Sequence, residues 1–299
     1  MQDILVLGGT QYFGKQLVER LLADGKNVNI ATRGLTADSF GDRVNRLKLD
    51  REDEKTVFAA FKEGQWDVVY DQTCYSPKEL KATTEALKGK VKKYILTSSQ
   101  AVYDYGTNHK EEAFDPTTFT FSFKGRKEYP GFIGYQEAKR ASEAVLFNDQ
   151  SFEAVSVRFP IVVGKDDFTE RVKFHVEKVM NEEEIGAKNF DVRLGFISSD
   201  EAADFLYKMG ESNFTGAINP GSRGDLSLRE LIQKIESHVN KRAILTSEVT
   251  SENASPFAFD GSWSVNTEKA EQLGFHFTGL HDLLDKLIEF YSINGETKS

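Results

Sequence analysis

The chain has a single cysteine, Cys74, among 299 residues, so no internal disulfide can form and pairing places no demand on the redox compartment. It is also short of positive charge: 38 lysines and arginines stand against 47 aspartates and glutamates, for a net −9 at neutral pH. That balance disfavours a nucleic-acid partner held by phosphate neutralisation, although a local basic patch stays compatible with it. No apolar run approaches a membrane span and Met1-Gln2-Asp3 carries no basic leader, so a soluble, cytoplasmic protein away from membranes is expected. The five histidines, His109, His175, His238, His276 and His281, fall at no metal-ligand spacing, and no metal is expected. Internal repeats and low-complexity segments are also missing.

What is present is an alternation of strand-like and helix-like segments. Apolar runs at Ile4–Leu7, Asn27–Ala31, Arg46–Leu49, Trp66–Tyr70, Lys93–Thr97 and Ala154–Phe159 read as strands. Helical stretches lie at 15–22, 53–62, 78–88 and 135–148, which argues an α/β fold with a parallel sheet covered on both faces. Beyond about residue 165, helices near 168–182, 199–210, 227–239 and 279–291 are separated by polar loops. The expected organisation is therefore a first domain over 1–165 and a smaller, mostly helical, discontinuous lobe over 166–299, parts of which return to the first domain. The polar end from about Asn294 is expected to fray. An aperiodic insertion, 104–134, carries Phe114, Phe119, Phe121, Phe123, Tyr129 and Phe132. It reads as a lid or substrate wall, or else as a surface insertion packed on its own aromatics.

The chemistry concentrates at three places. Gly8-Gly9-Thr10-Gln11-Tyr12-Phe13-Gly14 joins the first strand to a helix in which Leu17, Val18, Leu21 and Leu22 share one face. Such a turn aims backbone N–H groups and the helix dipole at a phosphate. Tyr135 and Lys139 stand four residues apart on a helix, so both project from one face. The ammonium then favours the phenolate form of the tyrosine, and the pair suits proton transfer, although a solvated surface pair has the same spacing. Thr97-Ser98-Ser99-Gln100-Ala101-Val102-Tyr103 places hydroxyls at the carboxyl end of the fifth strand, where open α/β sheets bind ligands.

With these motifs in order, the chain resembles the short-chain dehydrogenase/reductases in their extended, NAD-dependent epimerase/dehydratase-like branch. The segments Asp50-Arg51, Arg158–Gly164, Phe196–Ala203 and Ile218–Leu231 sit where that branch's recurring segments fall. The resemblance implies a Rossmann doubly wound sheet with a substrate lobe. Tyr135 would be the general acid/base, with Lys139 favouring the phenolate and binding the nicotinamide ribose. Ser99 would orient the substrate oxygen. Gly8, Gly9, Thr10, Gln11, Tyr12, Phe13, Gly14, Thr32, Arg33, Asp50, Arg51, Thr73, Thr97 and Phe159 would line the cofactor. The implied activity is oxidoreduction, epimerisation or dehydration of a small polyol, sugar or nucleotide-sugar. A homodimer through paired helices of the first domain is also implied.

Three departures qualify the resemblance. Gln11 stands where a glycine is usual, as in an atypical subgroup described as isoflavone-reductase-like or chloroplast stem-loop-binding-like. Its side chain either crowds the pyrophosphate or donates its amide to it, and donation is the reading preferred. The family's relay asparagine has no counterpart in Asp71-Gln72-Thr73-Cys74-Tyr75, so water or another side chain would serve. At the end of the second strand, Ala31-Thr32-Arg33-Gly34 offers no carboxylate for a ribose and a forked donor for a 2′-phosphate. The cofactor is therefore read as NAD(P), leaning to NADP(H), unless Arg33 stacks on adenine and either form is taken. Asp50 would accept from the adenine amino group or cap the following helix. The competing reading is a non-catalytic NAD(P)-binding scaffold, an RNA-binding or redox-sensing regulator.

Overall fold

The apolar, β-branched runs fold as parallel strands in the computed structural model, which describes residues 2–296. They are β1 (Asp3–Leu7), β2 (Asn27–Thr32), β3 (Asn45–Lys48), β4 (Trp66–Asp71) and β5 (Val91–Ser99), followed by strands Glu153–Phe159 and Gly216–Ile218. The order across the seven-stranded sheet is Gly216–Ile218, Glu153–Phe159, β5, β4, β1, β2, β3. The chain thus winds outward one way from β1 to β3 and the other way from β4. The switch point lies between β1 and β4, beyond whose carboxyl ends such sheets bind ligands. The last strand carries no periodic signal in its three residues, Gly-Ala-Ile, and joins the sheet only by pairing with the strand beside it.

Helices α1 (Tyr12–Ala23), α2 (Glu54–Ala60), α3 (Pro77–Leu87) and α4 (Gly131–Asn148) are among those that cover this sheet. The first three have a local cause. Leu17, Val18 and Leu21 form the buried stripe of α1. Asp53 caps α2 by accepting from Lys55 N–H, and Ser76 caps α3 ahead of Pro77 in its first turn.

The residues divide into two units. The first holds Met1–Tyr103, Glu111–Phe159 and Asp200–Pro220; the second holds Asp104–Lys110, Pro160–Ser199 and Gly221–Ser299. The helix Ser199–Glu211 lies beyond residue 165, and from Asp200 it belongs to the first unit. It is tied to α1 and its end by Arg20 Nη2 to Asp200 Oδ1 at 2.8 Å and Tyr207 Oη to Asp24 Oδ2 at 2.9 Å. An amphipathic period announces a helix without saying which surface it covers. The 104–134 insertion is likewise divided, its first residues going to the second unit and the rest to the first.

The second unit is built on helices Arg171–Met180, Leu228–Val239, Glu268–Gln272 and Leu280–Glu296. Segments between them that read as polar loops pair as short strands: Arg193–Leu194 lies between Leu226–Ser227 and Trp263–Val265, and the last also pairs with Gly106–His109. The last helix continues past Asn294, and residues 297–299 lie outside those described. No helix among the described residues is long and apolar enough to cross a membrane.

Inside the second unit His175 is fully buried. Its Nδ1 lies 2.7 Å from Arg171 O and its Nε2 2.8 Å from Ser255 Oγ, and its ring stacks on Phe257 at 5.1 Å. Burial pushes the imidazole down to about 4, with the Arg171 carbonyl partly opposing. The folded chain therefore holds this ring neutral where the unfolded chain, titrating near 6.5, would protonate it. The stabilisation is complete above about pH 6.5 and is lost as pH falls toward 4, on the order of 3 kcal/mol at most. Urea unfolding across that window should show a steeper loss of stability in the wild type than in His175→Gln.

Candidate active site

β1 ends in a turn whose glycines are required by backbone and space. Gly8 and Gly9 adopt φ +100° and +82°, which L side chains rarely take. A Cβ on Gly8 would stand 2.6 Å from Thr73 Cγ2, and one on Gly9 2.8 Å from Val6 Cγ1 and 2.9 Å from Val18 Cγ2. A Cβ on Gly14 would overlap Gln72 Oε1, so this glycine lets the amide pack against α1. Gln11 differs from these. It is the N-cap of α1 at φ −139° and ψ 158° with no side-chain cap bond, extended backbone open to any residue. Its exposed side chain lines the cleft. Tyr12 follows at φ +53°, so the strain of the turn falls on a tyrosine. The neighbouring Phe13 packs on Phe159, with ring centroids 5.6 Å apart.

Above the turn lies a cleft of about 280 Å³ lined by Gly8, Thr10, Gln11, Thr32, Arg33, Asp50, Arg51, Thr73, Tyr75 and Arg126, among others. Arg33 is exposed there, and among the described residues its guanidinium makes no hydrogen bond or ion pair. Asp50 faces the same space while its Oδ1 accepts from Glu52 N at 3.0 Å. Asp53, not Asp50, caps α2.

Arg51 forms the floor of the cleft rather than an open donor. Its two terminal nitrogens pair with the two oxygens of Asp71, and Nη2 also reaches Thr83 Oγ1 at 3.1 Å. Tyr94 Oη donates to Asp71 Oδ2 at 2.5 Å. Burial works against the Arg51 charge, but facing Asp71 outweighs it and holds the guanidinium well above its usual range. Thr73 connects floor and turn, its N–H donating to Asp71 Oδ1 at 3.2 Å.

Tyr135 and Lys139 come together on α4 as their spacing requires, the Lys139 ammonium 5.8 Å from the Tyr135 ring centroid. Lys139 Nζ is buried and donates to Cys74 O at 2.9 Å and Thr97 O at 3.0 Å. Burial alone would push its pKa down; the facing Tyr135, Tyr75, Cys74 and Asp71 groups reverse this and raise it, so the charge is kept. Among the described residues Tyr135 Oη has no hydrogen-bond partner. Ser99 ends β5 and its Oγ accepts from Ala101 N at 3.1 Å, leaving its own hydroxyl proton to donate. No hydrogen bond joins Ser99 to Tyr135. The segment after Ser99 is instead tied to α4 by Gln136 Nε2 to Tyr103 O at 2.6 Å and Arg140 Nε to Val102 O at 2.7 Å. Cys74 is fully buried, and burial pushes its thiol up to about 11.

Three residues at this site were not legible from motifs. Gln72 packs under Gly14, and its Nε2 is buried with no partner among the described residues. Thr97, which the resemblance already placed at the cofactor, shares that condition at its Oγ1. Tyr75 places its ring 5.1 Å from the Lys139 ammonium and 4.7 Å from the Arg126 guanidinium carbon. Arg126 comes from the 104–134 insertion, where the aromatics drew the reading and an isolated charge in an aperiodic stretch carried no signal.

A parallel doubly wound sheet, a glycine turn at its first crossover and a Tyr-Lys pair beside the fifth strand define an extended short-chain dehydrogenase/reductase. The model of the NAD dependent epimerase/dehydratase family matches residues 4–219, and the chain belongs to that family. Among curated proteins it is similar to the chloroplast stem-loop binding protein of 41 kDa b from Arabidopsis thaliana, 33% identical over 131 residues. That match spans 38% of this chain and about a third, 34%, of the relative. Among solved structures it is similar to UDP-glucose 4-epimerase of Thermus thermophilus with NAD, at TM-score 0.70 and 18% identity over 97% of this chain and 98% of that one. It is also similar to dTDP-glucose 4,6-dehydratase of Bacillus anthracis with NAD, at TM-score 0.74 and 13% identity over 99% and 98%. At these identities the likeness is one of fold.

The turn geometry makes Gly9→Ala costly on two counts, a disfavoured φ and overlap with Val6 and Val18. Thermal unfolding should register a loss of about 1–3 kcal/mol, and unchanged stability would refute the account of the turn.

Proposed function

We propose that this chain is an NAD(P)-dependent oxidoreductase, epimerase or dehydratase acting on a sugar or nucleotide-sugar. The observation that carries the reading is Lys139, a buried ammonium pinned by two carbonyls beside a tyrosine whose hydroxyl is free. An ammonium has three donors; Cys74 O and Thr97 O take two, and the third is available to a ribose hydroxyl. The glycine cradle fits a dinucleotide, as do the cleft at the strand ends and the buried unpartnered Gln72 Nε2 and Thr97 Oγ1. When bound, the nicotinamide supplies hydride transfer.

The protein's own part is proton transfer and orientation. Ser99 Oγ–H donates to the substrate oxygen, and Tyr135 Oη takes or returns that oxygen's proton. The fixed Lys139 charge stabilises the phenolate that forms. Gln11, extended and exposed on the cleft, donates its amide to the pyrophosphate. Arg33 is the determinant of cofactor choice: with no acid at the end of β2, its free guanidinium receives a 2′-phosphate and favours NADP(H).

A scaffold reading draws on one observation, the relative whose name records stem-loop binding. The net charge of −9 opposes it, since phosphate contacts need basic surface. Turnover separates the two readings. Against a panel of nucleotide-sugars, followed by the absorbance of reduced nicotinamide, Tyr135→Phe should lower the rate about 10²–10⁴-fold while still binding the cofactor; no turnover in the wild type would favour the scaffold. Arg33→Ala should weaken NADPH by one or two decades and leave NADH nearly unchanged. An equal loss for both would remove Arg33 as the determinant.

A further inference from the structure

The 104–134 insertion delivers Arg126 to the wall of the cleft, with its side chain 38% exposed. The guanidinium is fixed on two sides. Its Nε and Nη2 lie 2.8 and 3.0 Å from the two oxygens of Glu79, and Nη2 also donates to Thr73 O at 3.2 Å. Glu79 is itself buried in the first turn of α3, where its Oε2 also accepts from Tyr75 N at 3.1 Å. The guanidinium carbon lies over the Tyr75 ring, 4.7 Å from its centroid. The carboxylate neutralises the charge and, together with Thr73 O, engages Nε and Nη2, so only Nη1 stays open along the edge.

A neutralised cation with its edge engaged is a poor phosphate ligand. A flat, rigid, delocalised surface backed by an aromatic ring is a good stacking platform, because guanidinium planes stack on bases as they do on aromatic side chains. We propose that the face of Arg126 turned away from Tyr75 is the platform on which the adenine base of the cofactor stacks. This rests on the dinucleotide reading above and divides the cleft between two arginines. Arg33, unpaired and exposed, provides charge; Arg126, paired and backed, provides a surface. Asp50 lines the same cleft and can accept from the amino edge of a base held there. The insertion is then a wall of the cofactor cleft, and Glu79 and Tyr75 are positioning residues for Arg126.

The test uses dissociation constants of NADH, NADPH and ADP-ribose for the full chain, its Arg126→Ala variant and its Arg126→Lys variant. Lysine can keep the ion pair with buried Glu79 but has no planar group. A stacking platform predicts about a tenfold loss for all three ligands in both variants. Wild-type affinity in Arg126→Lys would reduce Arg126 to a strap on Glu79 and overturn the proposal. So would a loss confined to NADPH, which would make Arg126 a 2′-phosphate ligand. Wild-type binding with Arg126→Ala unmoved overturns this inference alone, whereas a wild type that binds none of the three overturns the proposed function and this inference with it.

Discussion

The buried pair of Arg158 and Glu143 holds together the elements that carry Ser99, Tyr135 and Lys139. Both side chains are fully buried, and Arg158 Nη2 lies 2.6 Å from Glu143 Oε2. Ser98 of β5 and Ser156 of the adjoining strand each donate to Glu143 Oε1 at 2.6 Å. Arg158 Nη1 reaches Tyr103 Oη and Glu111 O at 2.8 Å each, and Nη2 reaches Phe114 O at 3.1 Å. Two strands, α4, the segment after Ser99 and the start of the insertion therefore meet on one ion pair. Removing either partner would leave an uncompensated buried charge, a cost of about 3–5 kcal/mol. Tyr135, Lys139 and Glu143 follow one another at four-residue intervals and so share one face of α4. Anchoring Glu143 fixes the rotation of that face, and with it the direction of the phenol and the ammonium.

This dependence explains what could and could not be read from the chain. Periodicity and turn chemistry located β1 to β5, the strand Glu153–Phe159 and α1 to α4 to within a few residues, because each has a local signature. Tyr135 and Lys139 share a face by helix geometry alone. Arg158 and Glu143 do not announce each other: one sits on a strand and the other on a helix, and only folding brings them together. The same holds for Arg51, which motif position assigns to the cofactor and whose guanidinium is taken up by Asp71, a partner twenty residues away. The strand Gly216–Ile218 and the unit to which Ser199–Glu211 belongs were hidden for a related reason, since both depend on neighbours remote in sequence.

The unusual glycine turn also separates into local and non-local requirements. Position 11 is extended, so glycine is not needed there for the backbone. Gly8 and Gly9 are needed for it, and Gly14 is needed for the space that Gln72 fills. A fingerprint read as one unit is in fact a set of independent demands, and only one of them is relaxed here. The strain reappears at Tyr12, held in a left-handed conformation by the tight entry to α1.

Cys74 gives the chain a built-in reporter. It is the only thiol, wholly buried beside the carbonyl that Lys139 grips, with its ionisation suppressed. Thiolate is the reactive form, so a modifying reagent meets this residue only when the region after β4 opens. The rate of labelling then measures the free energy of that local opening, at a point where the strand end, the ammonium and the cleft wall come together. Occupancy of the cleft becomes measurable through the slowing of a covalent reaction, without a chromophore and without a substrate.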